Sequence, residues 1–145
     1  MNVSQHQNVM KRLRQYLLAR PEVLDAYVFG SFARGSEEQH SDLDVAVFVD
    51  HTAAPRSPYG YRADLTTDLM QVAERDDVDV VLLNDAPPLL YQRVLRDGIR
   101  IVSRDLGATT VREGRALSRY CDYLPQLRKV EALHAARIAR GAFGR

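Results

Sequence analysis

The chain has 145 residues, 46% hydrophobic and 27% charged, a globular composition that excludes disordered, collagen-like and membrane-embedded classes. Twenty Lys and Arg against nineteen Asp and Glu leave a formal charge of +1, so direct nucleic-acid binding by the whole surface is not expected and an anionic ligand needs a local site. One cysteine, Cys121, excludes an intrachain disulfide, and neither a signal-peptide core nor an 18-residue apolar run occurs; the expectation is a cytoplasmic protein with no membrane span.

Val9, Met10, Leu13, Tyr16 and Leu17 fall at helical spacing between Val3 and Leu18, with Ser4 and Gln7 placed as a capping box. Pro21 breaks that pattern, and Val23 to Phe29 reads as a strand closed by Gly30. After the segment GSFARGSEEQHS, a second strand runs from Leu43 to Val49. Leu43, Val45, Val47 and Val49 share one face of it, and Asp42, Asp44, Ala46 and Phe48 the other. The proline-containing stretch Asp50 to Gly60 reads as an exposed loop before a helix carrying Tyr61, Leu65, Leu69 and Val72 and ending near Arg75. Val78 to Leu83 is a third strand. Asn84, Asp85 and Pro87-Pro88 then supply a cap and first turn for a helix to Arg96, stopped by Gly98. Ile99 to Ser103 is a short fourth strand. From Ala108 onward only helix is plausible, interrupted at Pro125, with Leu117, Cys121 and Leu124 as its apolar stripe and Cys121 a small core residue. The fold class is α/β, a small mixed sheet with helices packed largely on one face and a helical C-terminal tail. One domain is expected over residues 1–145, with its core at about 23–103 and the tail at about 106–145.

Chemistry concentrates in Gly30-Ser31, ten intervening residues, and Asp42-Leu43-Asp44. At ordinary residue frequencies this spacing arises by chance in roughly 0.2% of chains of such length. On a strand, the period of two puts both carboxylates on one side, where their oxygens converge on hard cations such as Mg²⁺. Two such ions stabilise the attacking and leaving oxygens of a phosphoryl displacement and call for a third carboxylate from a neighbouring strand. Asp79, flanked by valines, is preferred over Asp77, which sits in a helix-to-strand connection. Gly30 and Gly35 let the backbone approach an anion, Ser31 offers a hydroxyl and an amide, and Arg34 stands one turn on. A P-loop is excluded because position 36 is Ser and not Lys, and a nucleophile elbow because the serine directly follows the glycine. The histidines His6, His40, His51 and His134 lack metal-ligand spacing and read as surface or packing residues, His40 being closest to Asp42. Tyr59, Tyr61, Tyr120 and Tyr123 are candidates for base stacking or an interface.

The string YVFGSFARGSEEQHSDLDVAVFVD and the later hydrophobic-Asp-hydrophobic strand resemble the nucleotidyltransferase superfamily of the DNA polymerase beta type, in particular its minimal members, the MNT-domain antitoxins of HEPN-domain ribonuclease toxins. The resemblance implies ATP as substrate and two Mg²⁺ ions. Gly30 and Ser31 would hold the nucleotide phosphates and Arg34 contact them, Asp42 and Asp44 would bind both metals, and Asp79 would complete the catalytic site. It further implies transfer of AMP to a hydroxyl, expected to be a tyrosine, of a HEPN-type toxin bound as a hetero-oligomer. Two rival expectations are stoichiometric masking of the toxin without catalysis and nucleotidyl transfer to an antibiotic or an RNA end, for which the second, substrate-specifying domain of larger relatives is missing.

Overall fold

The computed structural model describes residues 3–35 and 42–141. The elements are α1 (Val3–Leu18), β1 (Val23–Phe29), the single turn α2 (Gly30–Ala33), β2 (Leu43–Val49), α3 (Tyr61–Ala73), β3 (Val78–Leu82), a 3₁₀ turn (Leu83–Asp85), α4 (Pro88–Asp97), β4 (Ile99–Ser103) and α5 (Leu106–Ala139). The strands form one mixed sheet in the order β3-β2-β1-β4, with β2 and β3 parallel and the other pairs antiparallel.

Strand alternation divides the core between the two faces. Val45, Val47 and Val49 of β2 with Val78 and Val80 of β3 meet Leu13 and Leu17 of α1 and Leu65 and Leu69 of α3. On the opposite face, Tyr27 and Ala46 meet Tyr91 and Val94 of α4 and Ala116 of α5. The mixed sheet and the helical C-terminal segment are as expected, but the helices are not confined to one face. Tyr27 and Ala46 have the same apolar alternation as their neighbours, and they too require cover.

β3 is held to β2 at both ends. Leu43 N–H donates to the Asp77 carbonyl at 2.8 Å. At the other end the Asn84 side chain brackets Val49, Nδ2 donating to its carbonyl at 2.8 Å and Oδ1 accepting from its N–H at 3.0 Å. Asn84 and Asp85 therefore belong to the 3₁₀ turn and do not cap α4, which starts at Pro88 with no side-chain cap at Pro87. Ser4 likewise lies inside α1 and not at a cap position.

α5 is capped by Asp105, which accepts from Ala108 N–H at 3.1 Å. It runs through Pro125 without interruption. Proline removes one N–H and crowds the carbonyl four residues back. Cys121, whose carbonyl is affected, is exposed, so water can take up the lost bond and the helix continues. The expected stripe is also displaced: Cys121 and Leu117 face solvent, while Thr109 and Ala116 are buried. What seats the first turns of α5 is polar. Fully buried Asp25 accepts from Arg112 Nε at 2.6 Å, from its Nη2 at 3.0 Å and from the Thr109 hydroxyl at 2.6 Å. No helix among the described residues is long and apolar enough to cross a membrane.

Candidate active site

The end of the sheet where β1 gives way to α2 gathers the acidic residues. β1 stops at Phe29, and Gly30 turns the chain with φ +73°. A Cβ at Gly30 would overlap Asp44 Oδ2. The sheet explains this closeness, because Phe29 is the antiparallel partner of Asp44. Glycine is required twice over, for its left-handed backbone and for room beside a carboxylate. Gly35 is also left-handed, at φ +68°, but a Cβ there would meet nothing within 4 Å.

Asp79 is the parallel partner of Asp44 across β2 and β3, so register alone puts two carboxylates side by side on the face that carries Ala46 and Phe48. Asp42, on the same face by alternation, precedes β2 and is exposed. The Asp44 carboxyl is pushed up to about 6, first by loss of solvent and then by the negative charges of Asp79 and Asp42. Three like charges thus share one field, and a cation placed there is favoured.

Other acidic residues are excluded by their partners. Asp77 lies before β3 and is forked by Arg75, with contacts of 2.8 Å from Nε and 2.7 Å from Nη2, which hold its carboxyl below the usual range. Arg75 in turn stacks over Phe32, its guanidinium carbon 5.3 Å from the ring centroid. Asp77 is thereby part of the scaffold beneath α2. Asp79 is looser, with Arg62 Nη2 3.6 Å from its Oδ1 and both side chains more than half exposed. Arg62 was not foreseeable from spacing; it reaches the cluster only because α3 starts beside β3, and its Nε donates to the Val80 carbonyl at 2.8 Å.

Ser31 and Arg34 lie on the α2 turn directly after Gly30, Arg34 exposed at its C-terminal end. The Asp97 carboxyl at the end of α4 is lowered first by its bond from Arg96, with a smaller contribution from the charge of Arg34. His6 stacks on Phe32 with ring centroids 4.5 Å apart, and its Nε2–H donates to the Phe32 carbonyl at 2.7 Å. It therefore packs α1 against α2, as expected of a packing histidine. His51 and His134 are exposed, and His40 lies outside the described residues. Tyr61 directs its hydroxyl into the protein near Arg20 and Glu22, where burial pushes it up to about 12, so it offers no ring to a base. Tyr59 is exposed.

Whether these residues fit divalent ions is decided by the donor set. Asp42, Asp44 and Asp79 supply hard oxygens from one face, and the glycine beside Asp44 leaves space there. Among the described residues no three acidic, histidine or cysteine side chains already converge on one ion position; Asp79 lies beside Arg62, and Asp42 is exposed. The residues fit the ions by chemistry and by face. A cleft of about 590 Å³ between α1 and the end of α3, lined by Asn8, Arg12, Gln15, Glu74 and Arg75, holds none of these carboxylates.

Residues 11–106 match the family model of polymerase beta nucleotidyltransferases. The chain belongs to that family. Protein adenylyltransferase MntA of Shewanella oneidensis is 31% identical over 90 residues, 62% of this chain and 59% of the relative. The chain thus spans about three-fifths of the length of the curated relative it matches. Two solved structures share its fold at lower identity. One is the tri-AMPylated Shewanella oneidensis HEPN toxin in complex with MNT antitoxin, with 21% identity, a TM-score of 0.64 and coverage of 89% of this chain and 98% of the matched one. The other is a toxin–antitoxin structure with AMP-PNP, with 22% identity, a TM-score of 0.59 and coverage of 92% and 98%.

Proposed function

We propose that the chain is a Mg²⁺-dependent adenylyltransferase, a single minimal domain acting in the cytoplasm, which moves AMP from ATP to a hydroxyl of a HEPN-type toxin and so neutralises it. The observation that carries the reading is the pairing of Asp44 with Asp79 across β2 and β3, with Gly30 pressed against Asp44. The family match and the adenylyltransferase relative support the chemistry, and the AMP-PNP and tri-AMPylated neighbours support the nucleotide and the acceptor.

When bound, two Mg²⁺ ions would screen the triphosphate and polarise the attacking and leaving oxygens. Asp42 and Asp44 would hold both ions, and Asp79 would complete the catalytic site. Gly30 lets the chain pass close to the phosphates, Ser31 donates to them, and exposed Arg34 contacts them from the α2 side. Asp79, at an exposed position on an edge strand, stands where an incoming hydroxyl can reach it.

Among the described residues Asp42 and Asp79 are exposed, so in this reading orientation of the acceptor comes from a folded partner. A tyrosine hydroxyl suits this arrangement, since its ordinary pKa of about 10 makes it easier to deprotonate beside Mg²⁺ than an aliphatic hydroxyl. The far part of α5, with Val130, Leu133 and Ile138 exposed, is the docking face in this reading, giving a hetero-oligomer. Added phosphodiester charge and nucleoside bulk on the partner would then block an RNA-binding cleft. The test is intact-mass spectrometry of the co-expressed partner. Mass in whole AMP increments on tyrosine, absent with the Asp42→Asn, Asp44→Asn double variant, is the expected result. An unmodified partner that is still inhibited rejects transfer in favour of masking.

A further inference from the structure

α3 packs through Leu65 and Leu69 on the face of the sheet opposite the carboxylates, yet its second residue, Arg62, reaches past the edge strand β3 to their side. Its Nε is tied to the Val80 carbonyl and its Nη2 stands 3.6 Å from Asp79 Oδ1. Val80 directly follows Asp79, so one anchored guanidinium addresses the backbone and the carboxylate of adjacent residues. The contrast with Arg75 is informative. Arg75 forks Asp77 with two short bonds and commits it to the scaffold, whereas the Arg62–Asp79 pair is long and solvated, the kind of pair a divalent cation can displace.

We propose that Arg62 is a positioning residue for nucleotidyl transfer: it holds the Asp79 carboxylate beside Asp44 and, as a cation belonging to the protein, competes with the divalent ion for it. The inference rests on the metal-site reading above. Two consequences of opposite sign follow. A guanidinium next to Asp79 reduces the negative field that draws a second cation, so Arg62 weakens metal binding. It also narrows the orientations open to an exposed side chain, so Arg62 raises the fraction of molecules ready for reaction. A residue that only fastened α3 to β3 would do neither.

The experiment titrates Mn²⁺, without nucleotide, into the full chain and its Arg62→Gln, Arg62→Lys and Asp44→Asn variants. Free ion is followed by electron paramagnetic resonance, alongside melting temperature and AMP transfer to the partner. Arg62→Gln is expected to bind Mn²⁺ about three- to tenfold more tightly, as befits loss of one partly screened charge, while transferring AMP more slowly. Arg62→Lys keeps the charge and so keeps the original Mn²⁺ affinity, but an ammonium lacks the fork needed to hold Val80 and Asp79 together, and transfer slows. Unchanged Mn²⁺ affinity in Arg62→Gln overturns the inference, and so does tighter binding with undiminished transfer. Should Arg62→Gln fail to fold, full transfer by Arg62→Lys overturns it. If Asp44→Asn binds Mn²⁺ as tightly as the unmodified chain, the metal-site reading has failed first.

Discussion

Asp44 stores a cost that a single substitution should release. Its carboxyl titrates at about 6 in the folded chain against an ordinary 3.8. The folded state therefore holds a proton more tightly than the unfolded one. The contribution of this one group to stability is greatest below about pH 4, where both states are protonated, falls as pH rises between the two values, and levels off above about 6. A shift of that size corresponds to about 3 kcal/mol at most, at about 1.4 kcal/mol per unit. Some of this is screened at a half-buried position, and an amide carries its own burial cost. Asp44→Asn is accordingly expected to gain about 1–2 kcal/mol at pH 8, a rise in melting temperature of roughly 3–6 °C, and to gain nothing at pH 4. Urea unfolding of the metal-free chain and variant at both pH values measures the difference, while AMP transfer by the variant should be abolished. A variant no more stable at pH 8, or equally favoured at both pH values, would refute the claim that like-charge crowding and desolvation act on Asp44.

The other expectations address the neighbours of the site and the scaffold. Asp79→Ala should lower AMP transfer by orders of magnitude with ATP still bound in calorimetry, whereas Asp77→Ala should lose its Arg75 fork and some stability but keep transfer; the reverse pattern would reassign the third carboxylate. Glu74, which ends α3 in the left-handed region at φ 54°, should gain about 0.5–1 kcal/mol on replacement by Gly, read as a higher urea midpoint; an unchanged midpoint would mean that the strain is already relieved. Asp25→Ala should cost about 3–5 kcal/mol in unfolding experiments, because it strands Arg112 in a largely buried position. Arg96→Ala, which removes a solvent-exposed pair with Asp97, should leave the urea midpoint essentially unchanged, and a clear drop would contradict screening by water.

Asp42 and Asp44 are legible in sequence because alternation on a strand is a short-range property, and Leu43 between them with Val45, Val47 and Val49 after them leaves little freedom. Asp79 is legible for the same reason, and its valine flanks also separate it from Asp77, which the Arg75 fork explains in the folded chain. Cover on both faces is less visible, since Tyr27 and Ala46 look like ordinary strand residues until α4 and α5 are laid over them. Pro125 misleads because its usual helix-breaking effect presumes that the freed carbonyl is cut off from water, and here it is not. Arg62 and the Asp25–Arg112 pair escape any local pattern: residues 62 and 79, or 25 and 112, meet only through tertiary packing.

The pinning of β3 at both ends makes chain length between the pins a matter of parity. Asp77 is fastened to Leu43, and Asn84 to Val49. Inserting one residue just after Asp77 must therefore either break a pin or turn Asp79 through half a revolution into the layer of Leu65 and Leu69, where a carboxylate is not tolerated. A two-residue insertion restores the facing but adds a bulge. Length changes in the exposed connection before α3 meet no such rule. Variation among functional descendants of this chain should therefore accumulate as insertions around residues 51–60, while the stretch from Val78 to Leu83 keeps its length even where its side chains drift.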